Sequence, residues 1–140
     1  MSSRPAIVLD TNVLLVALPT RSPYRAIFDQ LLAWTFELVV SNEILAEYEE
    51  QIARRYDRDT VDDLLAVLGA LPNVRLVDPY FRWQLITADP DDNKFADAAI
   101  AANATLLVTN DRHFDVLKAT GFPKVTTCTA QQFLQIMQDA

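Results

Sequence analysis

The chain has 140 residues, 51% hydrophobic and 22% charged, so it can bury one core and is not a disordered polymer. Twelve basic against 19 acidic residues leave a net charge of −7, which argues against coating nucleic acid by bulk electrostatics but not against a local basic rim beside a bound metal. Cys128 and His113 are the only residues of their kinds; this excludes an internal disulfide, a cysteine zinc site and a paired-histidine site, and leaves oxygen ligands of the sort that hold Mg2+ or Mn2+.

The N-terminal Met1-Ser2-Ser3-Arg4-Pro5 carries one basic residue, and the apolar run behind it is broken at Asp10. That is too short for a secretory leader, and no apolar run approaches the roughly 18 residues needed to span a bilayer. The expectation is a cytoplasmic protein without a membrane partner. Ala6 to Leu9 reads as a buried strand. Tyr24, Ile27, Phe28, Leu31 and Leu32 recur at helical spacing after Ser22-Pro23. Phe36 to Val40 is a second strand. Ser41 or Asn42 then caps a helix to about Tyr56, with Ile44, Leu45, Tyr48 and Ile52 inward. Asp59 or Thr60 opens another helix, stopped by Pro72-Asn73. Val74 to Val77 is a third strand, and Asp89-Pro90-Asp91-Asp92 opens an alanine-rich helix to about Asn103. Thr105 to Thr109 is a fourth strand, Phe114 to Ala119 a short helix, and Val125 to Thr127 a fifth strand. Thr129 caps a last helix, Gln131 to Met137.

Strands alternating with helices predict an α/β fold: three layers, α/β/α, around a mainly parallel sheet of about five strands. In such sheets ligands bind beyond the C-terminal ends of the strands. Polar signatures stand at those positions. Asp10-Thr11-Asn12 follows the first strand; Ser41-Asn42 with Glu43, Glu47, Glu49 and Glu50 follows the second; Thr109-Asn110-Asp111 follows the fourth. Asp89, Asp91 and Asp92 precede the fourth. Each alone has an ordinary structural explanation as a cap, a turn or a solvated helix face. Gathered at one sheet edge, the carboxylates would repel one another unless a cation neutralised them.

Four segments, Val8 to Leu14, Val40 to Tyr48, Asp89 to Phe95 and Leu107 to Phe114, resemble the motifs of PIN-domain proteins, in the family's order. The resemblance is to the kind that are VapC-like toxin components of type II toxin–antitoxin pairs. It implies a single PIN-like domain over residues 1–140 and an Mg2+- or Mn2+-dependent endoribonuclease acting on single-stranded or structured RNA. It also implies a cognate antitoxin protein and a homodimer. Carried onto this chain, it makes Asp10, Glu47, Asp92 and Asp111 the catalytic and metal-holding acids. Asn12, Thr109 and Asn110 would support them by hydrogen bonding. Lys94 and Arg112, beside these acids, are candidates for contacts to substrate phosphates. Water rather than the ribose 2′-OH would be the nucleophile, giving 5′-phosphate and 3′-hydroxyl products.

Two of the acids have competitors. Helical phase puts Glu47 and Glu49 on the two borders of the apolar face, and the family pattern favours Glu47. Asp97 competes with Asp92, but it lies 14 residues before Asp111 where Asp92 lies 19 before it, and the longer spacing leaves room for a helix and a strand. His113 reads as a turn or cap residue and Cys128 as a packed small side chain. Trp34, Tyr80, Phe81 and Trp83 could stack bases, but packing in the core or at an interface is the expectation. The face formed by Val61, Leu64, Leu65, Leu68 and Leu71 suits either a dimer or antitoxin contact or the chain's own core. Arg21 and Arg25 could line a substrate path or a solvated surface. A non-catalytic PIN-like binding module is the alternative reading. A receiver-like phosphoacceptor domain would want an acidic pair after the first strand, and a haloacid-dehalogenase-type phosphatase an Asp at position 12, where Asn12 stands.

Overall fold

The computed structural model describes residues 4–139. The leader reading at residues 1–3 lies outside them. Five strands, β1 (Ala6–Leu9), β2 (Glu37–Val40), β3 (Val74–Leu76), β4 (Leu106–Val108) and β5 (Thr127–Cys128), form one sheet in the order β3-β2-β1-β4-β5. Every pairing is parallel. The sheet is therefore wholly rather than mainly parallel. Its order reverses between β1 and β4, which opens a crevice at their C-terminal ends.

Seven α-helices complete three layers: α1 (Thr11–Ala17), α2 (Arg25–Leu32), α3 (Asn42–Arg55), α4 (Arg58–Ala70), α5 (Asn93–Ala102), α6 (Val116–Ala119) and α7 (Ala130–Asp139). The sequence reading left α1 out. Its residues, Thr-Asn-Val-Leu-Leu-Val-Ala, are buried at Thr11, Val13, Leu14, Leu15 and Ala17. A short helix buried on most sides shows no amphipathic period to read. The start of α4 is also corrected. Asp57, not Asp59 or Thr60, is the cap, and its Oδ1 accepts the Thr60 N–H at 2.7 Å. The cap of α3 is Ser41, whose Oγ accepts the Ile44 N–H at 3.2 Å. Thr129 and Gln132 form a reciprocal capping box at α7, with bonds of 3.1 and 2.8 Å. The fifth strand starts two residues later than the pattern suggests.

Helix α5 packs across β1, β2 and β4. Its buried Ala96, Ala98, Ala99 and Ala102 let the helix backbone approach the sheet closely, while Phe95 fills the core. Asn103 ends it in the left-handed region at φ 50°, a conformation asparagine tolerates. A helix leading into a parallel strand begins at the edge where the strands end, so the 310 turn Pro90–Asp92 and the first turn of α5 sit there. Helix α4 buries Val61, Leu64 and Leu68 against the chain's own core, chiefly beside α3.

Residues 77–89 have no regular structure and are held against α5 by side chains. Asn93 clamps Ile86 from both sides: its Oδ1 accepts the Ile86 N–H at 2.9 Å and its Nδ2 donates to the Ile86 oxygen at 3.0 Å. Of the two places expected for the aromatics, core or interface, the core is not where Trp34, Tyr80 and Phe81 lie. Tyr80 is 97% exposed, and Phe81 and Trp34 are exposed as well. Phe81 and Trp83 instead lie against each other at 4.5 Å between ring centres. No helix among the described residues is long and apolar enough to cross a membrane.

Candidate active site

The crevice between β1 and β4 gathers the acids. Asp10 ends β1, and its main-chain N–H pairs with the Val108 oxygen at 3.0 Å. Beneath it, the buried Tyr48 hydroxyl donates to the Leu9 oxygen at 2.7 Å. Asp10 is only 5% exposed. Thr109, just past β4, joins two of the acids: its hydroxyl donates to Asp10 Oδ2 at 2.8 Å and accepts the Asp111 N–H at 3.0 Å. Burial pushes the Asp10 carboxyl above the usual carboxylate range; the Thr109 hydrogen bond opposes this, and the charges of Glu47 and Asp111 add to it.

Asp92 comes from the 310 turn ahead of α5. Its side chain is 14% exposed, and its Oδ2 is buried without a hydrogen-bond partner. Burial pushes its pKa up to about 7, helped by the negative charges of Asp89, Asp10 and Asp111 and opposed by His113. Asp111 caps the next 310 turn, its Oδ1 accepting the His113 N–H at 2.9 Å. Glu47 arrives from the second turn of α3. Its Oε2 accepts the Thr11 hydroxyl, and its Oε1 lies 2.8 Å from Lys94 Nζ.

The four acids named from the sequence thus share one neighbourhood, linked through Thr109, Thr11 and mutual charge. Other named residues point elsewhere. Asn110 Oδ1 accepts the Ala130 N–H at 3.0 Å, tying the β4 end to α7. Asn12 and Arg112 are exposed. Glu49 pairs with Arg58 at 3.0 Å, on the α4 side. Arg25 is engaged by Asp29 at 3.0 Å and by the Leu18 oxygen. Asp97 is buried, but its Oδ1 accepts the Trp83 N–H at 3.1 Å and its charged neighbours are Arg82 and Glu43. An open groove of about 480 Å3 runs along that side, lined by Glu43, Arg82, Ile86, Lys94 and Asp97 among others, and does not include the four acids. Cys128 is half-buried, and burial pushes its thiol up to about 11, so it is a poor nucleophile.

Two residues of the cluster, Asp89 and His113, have no assigned site role in the sequence analysis, although Asp89 stands in its acidic group. His113 Nδ1 lies 3.4 Å from Asp111, 3.7 Å from Asp92 and 4.0 Å from Asp89. It is a turn residue, as read, but its ring also faces three carboxylates. One ligand atom each from Asp89, Asp92 and His113 lie within 4.8 Å of one another. Asp89 could have been suspected from its place in the acidic run. A lone histidine after a strand carries no such signal.

The donor set suits a hard divalent cation. Carboxylate oxygens dominate it, one of them is buried and unpartnered, and two of the acids are pushed toward neutrality in the ion's absence.

Residues 6–113 match the PIN domain. The chain belongs to the PIN-domain family. Members of this family are generally nucleases. Solved structures share the fold at low identity. VapBC2 from Rickettsia felis, bound to a DNA fragment from its promoter, is 21% identical with a TM-score of 0.60, covering 89% of this chain and 98% of that one. FitAcB from Neisseria gonorrhoeae is also 21% identical, with a TM-score of 0.56 and the same two coverages. The T. brucei RRP44 PIN domain is 15% identical with a TM-score of 0.54, covering 97% of this chain and 82% of that one. No curated protein matches by sequence.

Proposed function

We propose that this PIN domain is a divalent-metal-dependent endoribonuclease and the toxin of a toxin–antitoxin pair. The observation that carries the nuclease reading is the buried, unpartnered Oδ2 of Asp92 among the carboxylates of Asp10, Asp111 and Glu47 at the β1/β4 crevice. In this reading Asp10, Glu47, Asp92 and Asp111 are the acids that hold Mg2+ or Mn2+. When bound, the ion supplies positive charge for the phosphodiester oxygens and lowers the pKa of water. Thr109 fixes the rotamer of Asp10 and the main chain at Asp111, so the two acids keep their spacing without a ligand. Thr11 fixes Glu47. Asp89 and His113 rim the site. In this reading Arg112, exposed beside Asp111, contacts a phosphate on the approaching strand. Asn12 and Asn110 have only positional support, because Asn110 is engaged by Ala130.

The toxin reading is supported by structural neighbours whose names, VapBC and FitAB, are those of two-component complexes. In this reading a protein antitoxin is the partner, supported by that likeness, and a homodimer is the proposed assembly on the family resemblance alone. The test is cleavage of mixed single-stranded RNA with Mg2+ or Mn2+, against EDTA and against Asp10→Asn. Metal-dependent cutting that leaves 5′-phosphate ends and disappears in the variant is expected. Cutting that survives Asp10→Asn overturns the site. Metal binding without cutting of any RNA would favour a non-catalytic binding module.

A further inference from the structure

The acid cluster has two unlike poles. At one, the Lys94 ammonium lies 2.8 Å from Glu47 Oε1 and 2.6 Å from the main-chain oxygen of Asp91, with its side chain only 12% exposed. It also sits 5.6 Å from the centre of the buried Phe95 ring. The other carboxylate oxygen of Glu47 accepts the Thr11 hydroxyl. Both oxygens of Glu47 are therefore engaged by the protein, one of them by a fixed cation. At the other pole, Asp92 Oδ2 accepts no hydrogen bond and has only His113 Nδ1 at 3.7 Å, Asp10 is held by the neutral Thr109 hydroxyl, and Asp111 accepts a main-chain N–H. A divalent ion placed at Glu47 would have to expel an ammonium that the main chain of Asp91 also holds. An ion at Asp10, Asp92 and Asp111 meets instead the His113 imidazole, 3.4 Å from Asp111 and 3.7 Å from Asp92, whose neutral form offers a nitrogen lone pair where Lys94 offers only a fixed charge.

We propose that Lys94 takes the place of a second metal ion: its ammonium holds Glu47, and the site takes one divalent cation, at Asp10, Asp92 and Asp111. Lys94 is then a positioning residue rather than a phosphate contact. The inference rests on the metal-binding half of the function proposed above and narrows it to one ion held by three of the four acids, with Glu47 bound to Lys94 instead of the metal.

Binding of Mn2+ to the full chain, without RNA, tests this; free ion is counted by electron paramagnetic resonance. One Mn2+ per chain is expected for the wild type and for Lys94→Arg. Lys94→Met frees Glu47 and binds two, and the second ion is lost again in the Lys94→Met, Glu47→Gln double variant. Glu47→Gln alone keeps one ion with its dissociation constant changed by less than about threefold, whereas Asp92→Asn weakens it at least about tenfold. Two ions in the wild type overturn the proposal. So does a Lys94→Met chain that binds one ion with unchanged affinity, or a Glu47→Gln chain that loses its ion. The wild-type and Glu47→Gln measurements decide the matter if Lys94→Met fails to fold. A chain that binds one Mn2+ yet leaves RNA intact overturns the nuclease reading and keeps this inference. A chain that binds two and cuts RNA does the reverse, and a chain that binds none overturns both.

Discussion

Asp92 and Asp97 stand five residues apart on one helical stretch, and both are shielded from water. Their carboxyls are in opposite situations. Asp97 is partnered by the protein: burial still raises its carboxyl, but Trp83 donates its N–H at 3.1 Å and Arg82 lies near, and both offset part of that effect. Asp92 has a buried oxygen with no donor and three like charges around it. Burial by itself therefore does not separate a structural acid from a ligand. The separation lies in whether the protein completes the carboxylate's hydrogen bonds or leaves an oxygen over.

The contrast breaks most sharply on activity. Asp92→Asn should lower RNA cleavage at least about hundredfold, because it removes a charge that holds the ion. Asp97→Asn keeps an oxygen for the Trp83 N–H and should change cleavage less than about threefold. Rates measured on one RNA, side by side, check this. Equal losses would dissolve the distinction.

The next effect concerns pH. The folded carboxyl of Asp92 ionises near 7, against an ordinary value of 3.8. Between those two values the unfolded chain has lost this proton and the folded chain has kept it. Metal-free stability contributed by Asp92 therefore falls as pH rises from about 4 to about 7, then levels off, with a ceiling of about 4 kcal/mol. Asp10, also raised, acts in the same direction. Denaturant midpoints in EDTA should show Asp92→Asn nearly equal to the wild type at pH 4 and more stable by about 2 kcal/mol at pH 8. Excess Mg2+ should reverse that order at pH 8, since only the wild type regains the ion.

Asp97→Ala removes the acceptor and leaves the Trp83 N–H unpaired, which costs about 1–2 kcal/mol. The loss should appear as faster proteolysis within residues 77–89, with cleavage of RNA little changed at permissive temperature. Smallest of all is Glu49→Gln. Its partner Arg58 is exposed, so the change should cost about 0.5 kcal/mol or less and leave cleavage unaltered. A large loss of activity there would shift the assignment of the second acid from Glu47 to Glu49.

Much of this architecture was legible in the residues. Apolar runs end at Asp10 and at Ser41, and the caps Ser41 and Thr129 announce their helices, because strand burial and capping are local effects. Helix α1 was not legible, since burial on most sides erases the period that marks a surface helix. Helical phase left Glu47 and Glu49 undecided. In the structure Glu47 turns to Thr11 and Lys94, and Glu49 turns to Arg58.

By itself the sequence determined the alternation of strands and helices, the oxygen-rich donor supply and the polar residues that follow the strands. These depend on neighbours a few positions apart. Only the tertiary structure decided which of those residues meet. Lys94 beside Glu47, His113 facing Asp89 and Asp92, and residues 77–89 folded over α5 to satisfy Asp97 all join positions that are not neighbours in the chain. Such contacts are fixed by the parallel pairing of β1 with β4 and by the close packing of α5 on the sheet, which no local pattern encodes.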